Sequence, residues 1–293
     1  MSKLIFGCGY LGRRVARRWR EAGEEVFVVT RSVERARAFS EEGYHPIVAD
    51  VLHQPSLAQL PAADTVLYAV GFDRGAGVSM REMFVAGLNA VLDALPDGTG
   101  KFIYISSTGV YGQSHGESVD EDSPCQPVRE GGRACLEAEQ VLASHDLGRH
   151  AVILRMAGLY GPGRIPNVAE IRRSQPIATP ERGFLNLIHV DDAASVVEAA
   201  AERATPPRTF VVSDGCPVER REYFAELARL LHAAPPRYIP PPADSPAAVR
   251  SASDKRVEND RMLAELRPHL RYPSYREGLR AIVAEEVLWT AND

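Results

Sequence analysis

The sequence predicts an α/β protein, a doubly wound parallel sheet with a smaller C-terminal lobe, and three observations carry that prediction. Short apolar runs alternate with helix-like stretches through the first two-thirds of the chain. The first run breaks into a glycine-rich turn. The alternation then loosens after Gly161-Pro162-Gly163. Strands that alternate with helices in this way pack as a parallel sheet covered on both faces.

Leu4-Ile5-Phe6 reads as the first strand, and residues 13–21 as the helix after it. Residues 26–29, 45–49 and 65–70 read as strands two, three and four. A helix is expected over 80–95, where Phe84, Leu88, Val91, Leu92 and Leu95 recur at helical spacing. Residues 102–105 give strand five, 132–143 a helix and 151–154 strand six. Residues 235–246 are proline-rich and read as a surface connection, since prolines leave neither a helix nor a central strand intact. Residues 219–232 and 257–266 look like helices of the lobe. The expected division is a dinucleotide-binding domain over 1–163, rejoined by 186–213, with a discontinuous substrate-side lobe within 164–293.

Ligands of such sheets bind beyond the carboxyl ends of the strands, here Gly7, Thr30, Asp50, Gly71, Ser106 and Arg155. The first of these ends is the most informative. Gly7-Cys8-Gly9-Tyr10-Leu11-Gly12 is a G-x-G-x-x-G turn between strand and helix, the arrangement of a Rossmann-type dinucleotide site. Gly7 permits the tight turn, Gly9 lets the backbone approach a pyrophosphate, and Gly12 lets helix and strand pack closely. The helix N-terminus behind them offers free N–H groups to the phosphates. Tyr10 and Leu11 lie in the same turn, and Val70 and Gly71 close strand four beside it.

A carboxylate at the end of strand two would hydrogen-bond a ribose 2′-hydroxyl and favour NAD. This chain has Val29-Thr30-Arg31-Ser32 there instead. Arg31, with the Thr30 and Ser32 hydroxyls, suits a 2′-phosphate, so NADP is expected ahead of NAD. Asp50, at the end of strand three, is placed to accept from the adenine amino group, or with Val51 to cap the next helix.

Bulk properties exclude other classes. A net charge of −5 over 293 residues leaves no electrostatic footprint for nucleic acid. The one basic run, Arg13, Arg14, Arg17, Arg18 and Arg20, reads as a solvated helix face, with Arg13 or Arg14 as the alternative phosphate contact. Cys8, Cys125, Cys135 and Cys216 are widely spaced, with no metal-ligand pattern, and suit reduced thiols. No apolar run reaches the roughly 18–20 residues that span a bilayer. The first strand begins too early to leave room for a signal peptide. A cytoplasmic protein without a membrane partner is expected.

Several segments together resemble the extended short-chain dehydrogenase/reductases, the NAD-dependent epimerase/dehydratase group. They are the glycine turn, Asn89, Ser106-Ser107-Thr108-Gly109-Val110-Tyr111-Gly112, Leu154-Arg155, Tyr160-Gly161-Pro162-Gly163 and His189-Val190-Asp191-Asp192. They span residues 1 to about 215 in the family's order. The glycine spacing, with Phe6 where a first glycine usually stands, resembles the family's atypical branch. The resemblance implies a nicotinamide cofactor, a nucleotide-sugar or similar hydroxyl or carbonyl substrate, a homodimer, and Ser107 as the catalytic serine.

It also implies a catalytic tyrosine and lysine four residues apart on one helix. Those positions are Gly131 and Cys135, and residues 129–139 contain no tyrosine or lysine at all. Glycine has no proton to give, and a thiol carries no positive charge. Tyr111 is a substitute to be tested, and Tyr160, His115, Arg133 and Glu137 lie near enough in sequence to be weighed with it. Asp191 or Asp192 is expected to cap the helix beginning near Ala193. In the lobe, Asn167, Arg182 and Arg256, with Arg250, are the polar candidates for substrate. Two functions remain open: an NADP-dependent epimerase/dehydratase-type enzyme with an altered acid/base set, or a cofactor-binding sensor or regulatory protein without turnover.

Overall fold

The computed structural model describes residues 1–293 except 74, 76, 244, 252 and 291–293, and the side chains of 246, 250, 251 and 286–290, Arg250 among them, also lie outside the described residues. Seven parallel strands form the central sheet: β1 Ser2–Phe6, β2 Glu25–Thr30, β3 His45–Val48, β4 Thr65–Tyr68, β5 Lys101–Ser107, β6 Ala151–Met156 and β7 Arg208–Val212. Their order is β7-β6-β5-β4-β1-β2-β3, so the direction of winding reverses between β1 and β4. A crevice opens at such a reversal, beyond the strands' carboxyl ends.

Period-two alternation explains how one strand serves two cores. In β1, Ile5 faces one layer with Val28, Leu67, Ile103 and Val152, packed against α1 (Gly12–Glu21) and the helix Val190–Arg203. Leu4 and Phe6 face the other with Val66, Tyr68, Phe102 and Tyr104, packed against α3 (Gly87–Ala94) and α4 (Glu130–Ser144). The β2–β3 connection carries α2 (Val33–Glu41), whose Ala36 and Phe39 are buried. The expected 80–95 helix is not uniform: Glu82–Ala86 is a π-turn feeding α3, one residue wider per turn than the spacing suggested.

The expected helix over 257–266 begins three residues late, at Asp260, and Val257 belongs to a strand. Lys255–Val257 pairs in parallel with Glu117–Val119, and only Asp260–Leu266 is helical. That helix sends Met262 and Leu266 into the core beneath the sheet rather than into the lobe. The lobe's own core gathers Tyr160, Ile171, Ile177, Tyr223, Phe224, Leu227 and Leu279, with the helices Arg220–Leu230 and Tyr275–Thr290.

Two polar clusters fasten these layers. Arg155 on β6 donates to Glu139 on α4 at 2.7 Å (Nη2 to Oε2) and to the Tyr111 hydroxyl at 2.9 Å. Ser106 on β5 donates to the same carboxylate at 2.5 Å. All four side chains are buried. In the second cluster Asp192 accepts the N–H groups of Arg271 and Tyr272 at 2.7 and 2.9 Å, tying the C-terminal segment to the sheet. Neither Asp191 nor Asp192 caps the helix: it begins at Val190, and His189 Nδ1 accepts from the Asp191 N–H.

Glu139→Ala strands the Arg155 guanidinium without its carboxylate, and the loss of one partner of a buried pair costs about 3–5 kcal/mol. Urea unfolding should show that loss with secondary structure retained. Asp214 supplies a second test. Burial pushes its carboxyl up to about 7, above the unfolded value of about 3.9, and Oδ2 has no partner. The folded state therefore holds the proton more tightly, and this contribution to stability falls as pH rises from about 4 through 7. Asp214→Asn should flatten that part of the stability curve, read as urea midpoints at pH 5 and pH 8.

Candidate functional site

At the crevice lies a cleft of about 680 Å³, lined from the ends of β1, β2, β4 and β5. Gly7 sits at φ +85, where L side chains are strained, and an added Cβ would lie 2.3 Å from the Ala69 carbonyl oxygen. A Cβ on Gly12 would meet the Gly7 carbonyl oxygen at 2.4 Å. A Cβ on Gly9 would meet nothing within 4 Å, so its open face belongs to the cleft. Among the described residues no protein acceptor takes the N–H groups of Tyr10, Leu11 and Gly12. Orphan donors at a helix start, beside an open glycine, fit a pyrophosphate.

The charge of the lining agrees. Arg31, Arg35, Arg129 and Arg164 face the cleft, and Asp50 is the one carboxylate in it among the described residues. Arg31 donates to Asp73 at 2.9 Å, and both are about half exposed. Such a surface pair is worth little and gives way readily to a better anion. Arg35 donates to the Cys8 carbonyl at 2.9 Å, holding a second cation across the glycine turn. Ser32 caps α2, accepting from the Arg35 N–H, and bonds Glu34; it is outside the lining. Thr30, Asp50, Val51, Val70 and Gly71 all line the cleft. Arg13 and Arg14 do not: one pairs with Glu42, the other with Asp191 at 2.7 Å.

At the far end are Ser107, Thr108, Gly109, Arg129 and Cys135. Ser107 Oγ accepts the Gly109 N–H at 3.0 Å. A Cβ placed on Gly109 would touch both Ser107 Oγ, at 3.2 Å, and Arg129 Nη2, at 3.3 Å, so hydroxyl and guanidinium flank one spot. Gly131 faces Met80, whose Sδ would lie 3.2 Å from an added Cβ. The Cys135 thiol is pushed up to about 12 by burial and then by Glu139, which makes it a poor nucleophile.

Tyr111 is not available for chemistry. It is 1% exposed, its hydroxyl is bonded to Arg155, and burial holds the phenol well above its ordinary value despite that cation. Tyr160 is equally buried, against Gly278. Glu137 pairs with Arg81, Arg133 bonds the Val128 carbonyl, and His115 sits exposed beside Glu117.

A second cavity, about 470 Å³, adjoins the cleft and shares Thr108, Arg129, Gly158 and Leu159 with it. Asn167 lines it. Arg182 does not; its carbonyl accepts from Arg220, which does. Arg256 stacks on Phe184 and donates to the Gly116 carbonyl, outside the lining. Sequence reasoning missed Arg35, Arg129, Arg220 and Lys255. Arg35 alone left a signal, one helical turn beyond Arg31.

The profile described as the NAD dependent epimerase/dehydratase family matches residues 4–213. Protein YeeZ of Escherichia coli K12 is 28% identical over 282 residues, covering 92% of this chain and 95% of that one. A 4-hydroxy-2-methyl-3-oxo-4-farnesyl-3,4-dihydroquinoline-1-oxide ketoreductase of Stigmatella aurantiaca is 26% identical over 234 residues, 75% of this chain and 70% of its own. The UDP-glucose 4-epimerase of Thermotoga maritima, solved with UDP-glucose, superposes with a TM-score of 0.81 at 19% identity, covering 100% of both chains. Among the described residues no helix is long and apolar enough to cross a membrane, and no group of side chains is arranged to hold a metal ion.

The glycines separate fold from binding. Gly7→Ala should destabilise the protein by at least about 1–3 kcal/mol from its backbone conformation alone. Gly9→Ala should leave the urea midpoint unchanged and weaken nicotinamide-dinucleotide affinity about tenfold or more, the worth of one charge-assisted hydrogen bond.

Proposed function

The chain belongs to the NAD-dependent epimerase/dehydratase family, and on that premise we propose that it binds NADP(H) in preference to NAD(H) and uses it on a hydroxyl or carbonyl compound. The observation that carries the cofactor preference is the end of β2, where Arg31 and Arg35 line the cleft, while the one lining carboxylate among the described residues, Asp50, lies beyond β3. Two guanidinium groups there match a 2′-phosphate by charge and by planar, forked donors. The N–H groups of Tyr10, Leu11 and Gly12 hold the pyrophosphate, and Asp50 faces the adenosine end. When bound, the nicotinamide gives or takes a hydride.

At that end the protein's own groups orient and polarise the substrate. Ser107 offers a hydroxyl, and Arg129 a permanent positive charge, to an oxygen seated between them. A guanidinium stabilises negative charge developing on that oxygen but does not release a proton. A ketoreductase among the relatives supports carbonyl chemistry, and an epimerase holding UDP-glucose on the same fold supports a nucleotide-sugar substrate. Four cysteines, none of them paired, support a reducing compartment such as the cytoplasm. A sensor without turnover is the second reading, favoured by Gly131 and Cys135 where the family resemblance places the tyrosine and lysine.

Titration calorimetry decides the cofactor. NADPH should bind more tightly than NADH, and Arg31→Ala or Arg35→Ala should each weaken NADPH about 10- to 100-fold, the loss of a charged hydrogen bond, with NADH changed little. Equal losses for both cofactors would remove the 2′-phosphate assignment.

A further inference from the structure

Of the 34 basic residues in this chain only three are lysines: Lys3, Lys101 and Lys255. Lys3 and Lys101 sit at the amino ends of β1 and β5, away from the cleft. There they bond Thr65 and the carbonyls of Ala200 and Ala201. Lys255 lines the second cavity, which meets the Ser107–Arg129 corner at Thr108 and Arg129.

Its surroundings are unusual for a lysine. The residue is 5% exposed. Nζ donates to the Tyr111 carbonyl at 3.0 Å and to Ser253 Oγ at 2.7 Å, both uncharged acceptors. Tyr111 is four residues beyond Ser107, so the same turn carries the serine and anchors the amine. The strand Lys255–Val257 alternates Lys255 and Val257 inward with Arg256 outward, which fixes the direction of the side chain. Arg129 and Arg220 face the same cavity, no carboxylate among the described residues lines it, and Asp254 lies beside the lysine on its own segment.

We propose that Lys255 is the catalytic proton donor of this site, passing a proton to the substrate oxygen that Ser107 and Arg129 polarise. The proposal rests on the hydride-transfer reading above. Reduction of a carbonyl adds a hydride to carbon, from the reduced nicotinamide, and a proton to oxygen. The C=O π pair moves onto oxygen, where Arg129 stabilises it. An N–H bond of the Lys255 ammonium then breaks in favour of an O–H bond, and the neutral amine recovers a proton from water. Arginine does not perform this step, because a guanidinium does not release its proton.

The titration range suits the task. Burial first, and the positive field of Arg129 second, bring Lys255 down to about 8, with Asp254 pulling weakly the other way. A donor whose proton is held near the operating pH is the effective one. Gly131 and Cys135 leave the role vacant on α4, and Lys255 lines the cavity that shares Thr108 and Arg129 with the cleft.

The test uses two independent readouts. Trace acetylation of the wild-type protein across pH 6 to 11, read by mass spectrometry, should give Lys255 a midpoint near 8. An unreactive Lys255, or a midpoint at the ordinary value of about 10.4, overturns the proposal. Turnover of 9,10-phenanthrenequinone with NADPH is then compared between wild type, Lys255→Met and Lys255→Arg. Lys255→Met should lower kcat at least about 100-fold. Its NADPH affinity by calorimetry should stay within about threefold, and Lys255→Arg should not restore turnover. Wild-type kcat should fall as pH rises past 8. A Met variant that keeps kcat and its pH profile, or a wild type that binds NADPH and leaves the quinone unreduced, overturns it. If wild type fails to bind NADPH, the cofactor reading falls, while the acetylation midpoint still reports on Lys255.

Discussion

The buried pair of Arg155 and Glu139 is the constraint on which the site depends. It joins the end of β6 to the middle of α4, and through Ser106 and Tyr111 it also holds the end of β5 and the turn after it. A buried charge is costly unless it is matched, so the four side chains fix one another's positions. Arg129 stands at the start of that helix and Ser107 at the end of that strand. Their meeting beside Gly109 follows from the pair. Tyr111 is consumed by this framework, which is why its phenol is unavailable for chemistry.

Around that corner the cleft divides into two ends with different tasks. The end built on β1 and β2 presents unbonded backbone N–H groups and two arginines to the cleft, and needs glycine where the chain approaches closely. The other end brings together the Ser107 hydroxyl and the Arg129 guanidinium, which the proposed function sets against a substrate oxygen. Family membership supplies the frame, and the proposed function takes its proton from a side chain outside α4.

The sheet was legible because its strands are apolar on both faces and each is followed by a helix or a turn signal. The glycine turn was legible for the same local reasons, since each glycine answers to a neighbouring backbone. What escaped the sequence depended on distant partners. Val257 was expected to open a helix and instead ends the strand Lys255–Val257, because Glu117–Val119 lies alongside it. Arg129 and Lys255 look like ordinary polar loop residues until the fold brings α4, the turn after β5 and the C-terminal segment together. Asp192 resembled a helix cap and instead holds residues 271 and 272. Arg256 and Arg182 carried charge in the right part of the chain, but Arg256 faces outward in its strand and neither lines the second cavity.

A crystal structure of the protein with NADPH is the decisive experiment. The 2′-phosphate should lie between Arg31 and Arg35, the pyrophosphate on the N–H groups of Tyr10, Leu11 and Gly12, and the nicotinamide beside Ser107 and Arg129. A cofactor whose adenosine ribose turns away from both arginines, or whose nicotinamide lies outside the Ser107–Arg129 corner, would contradict that assignment.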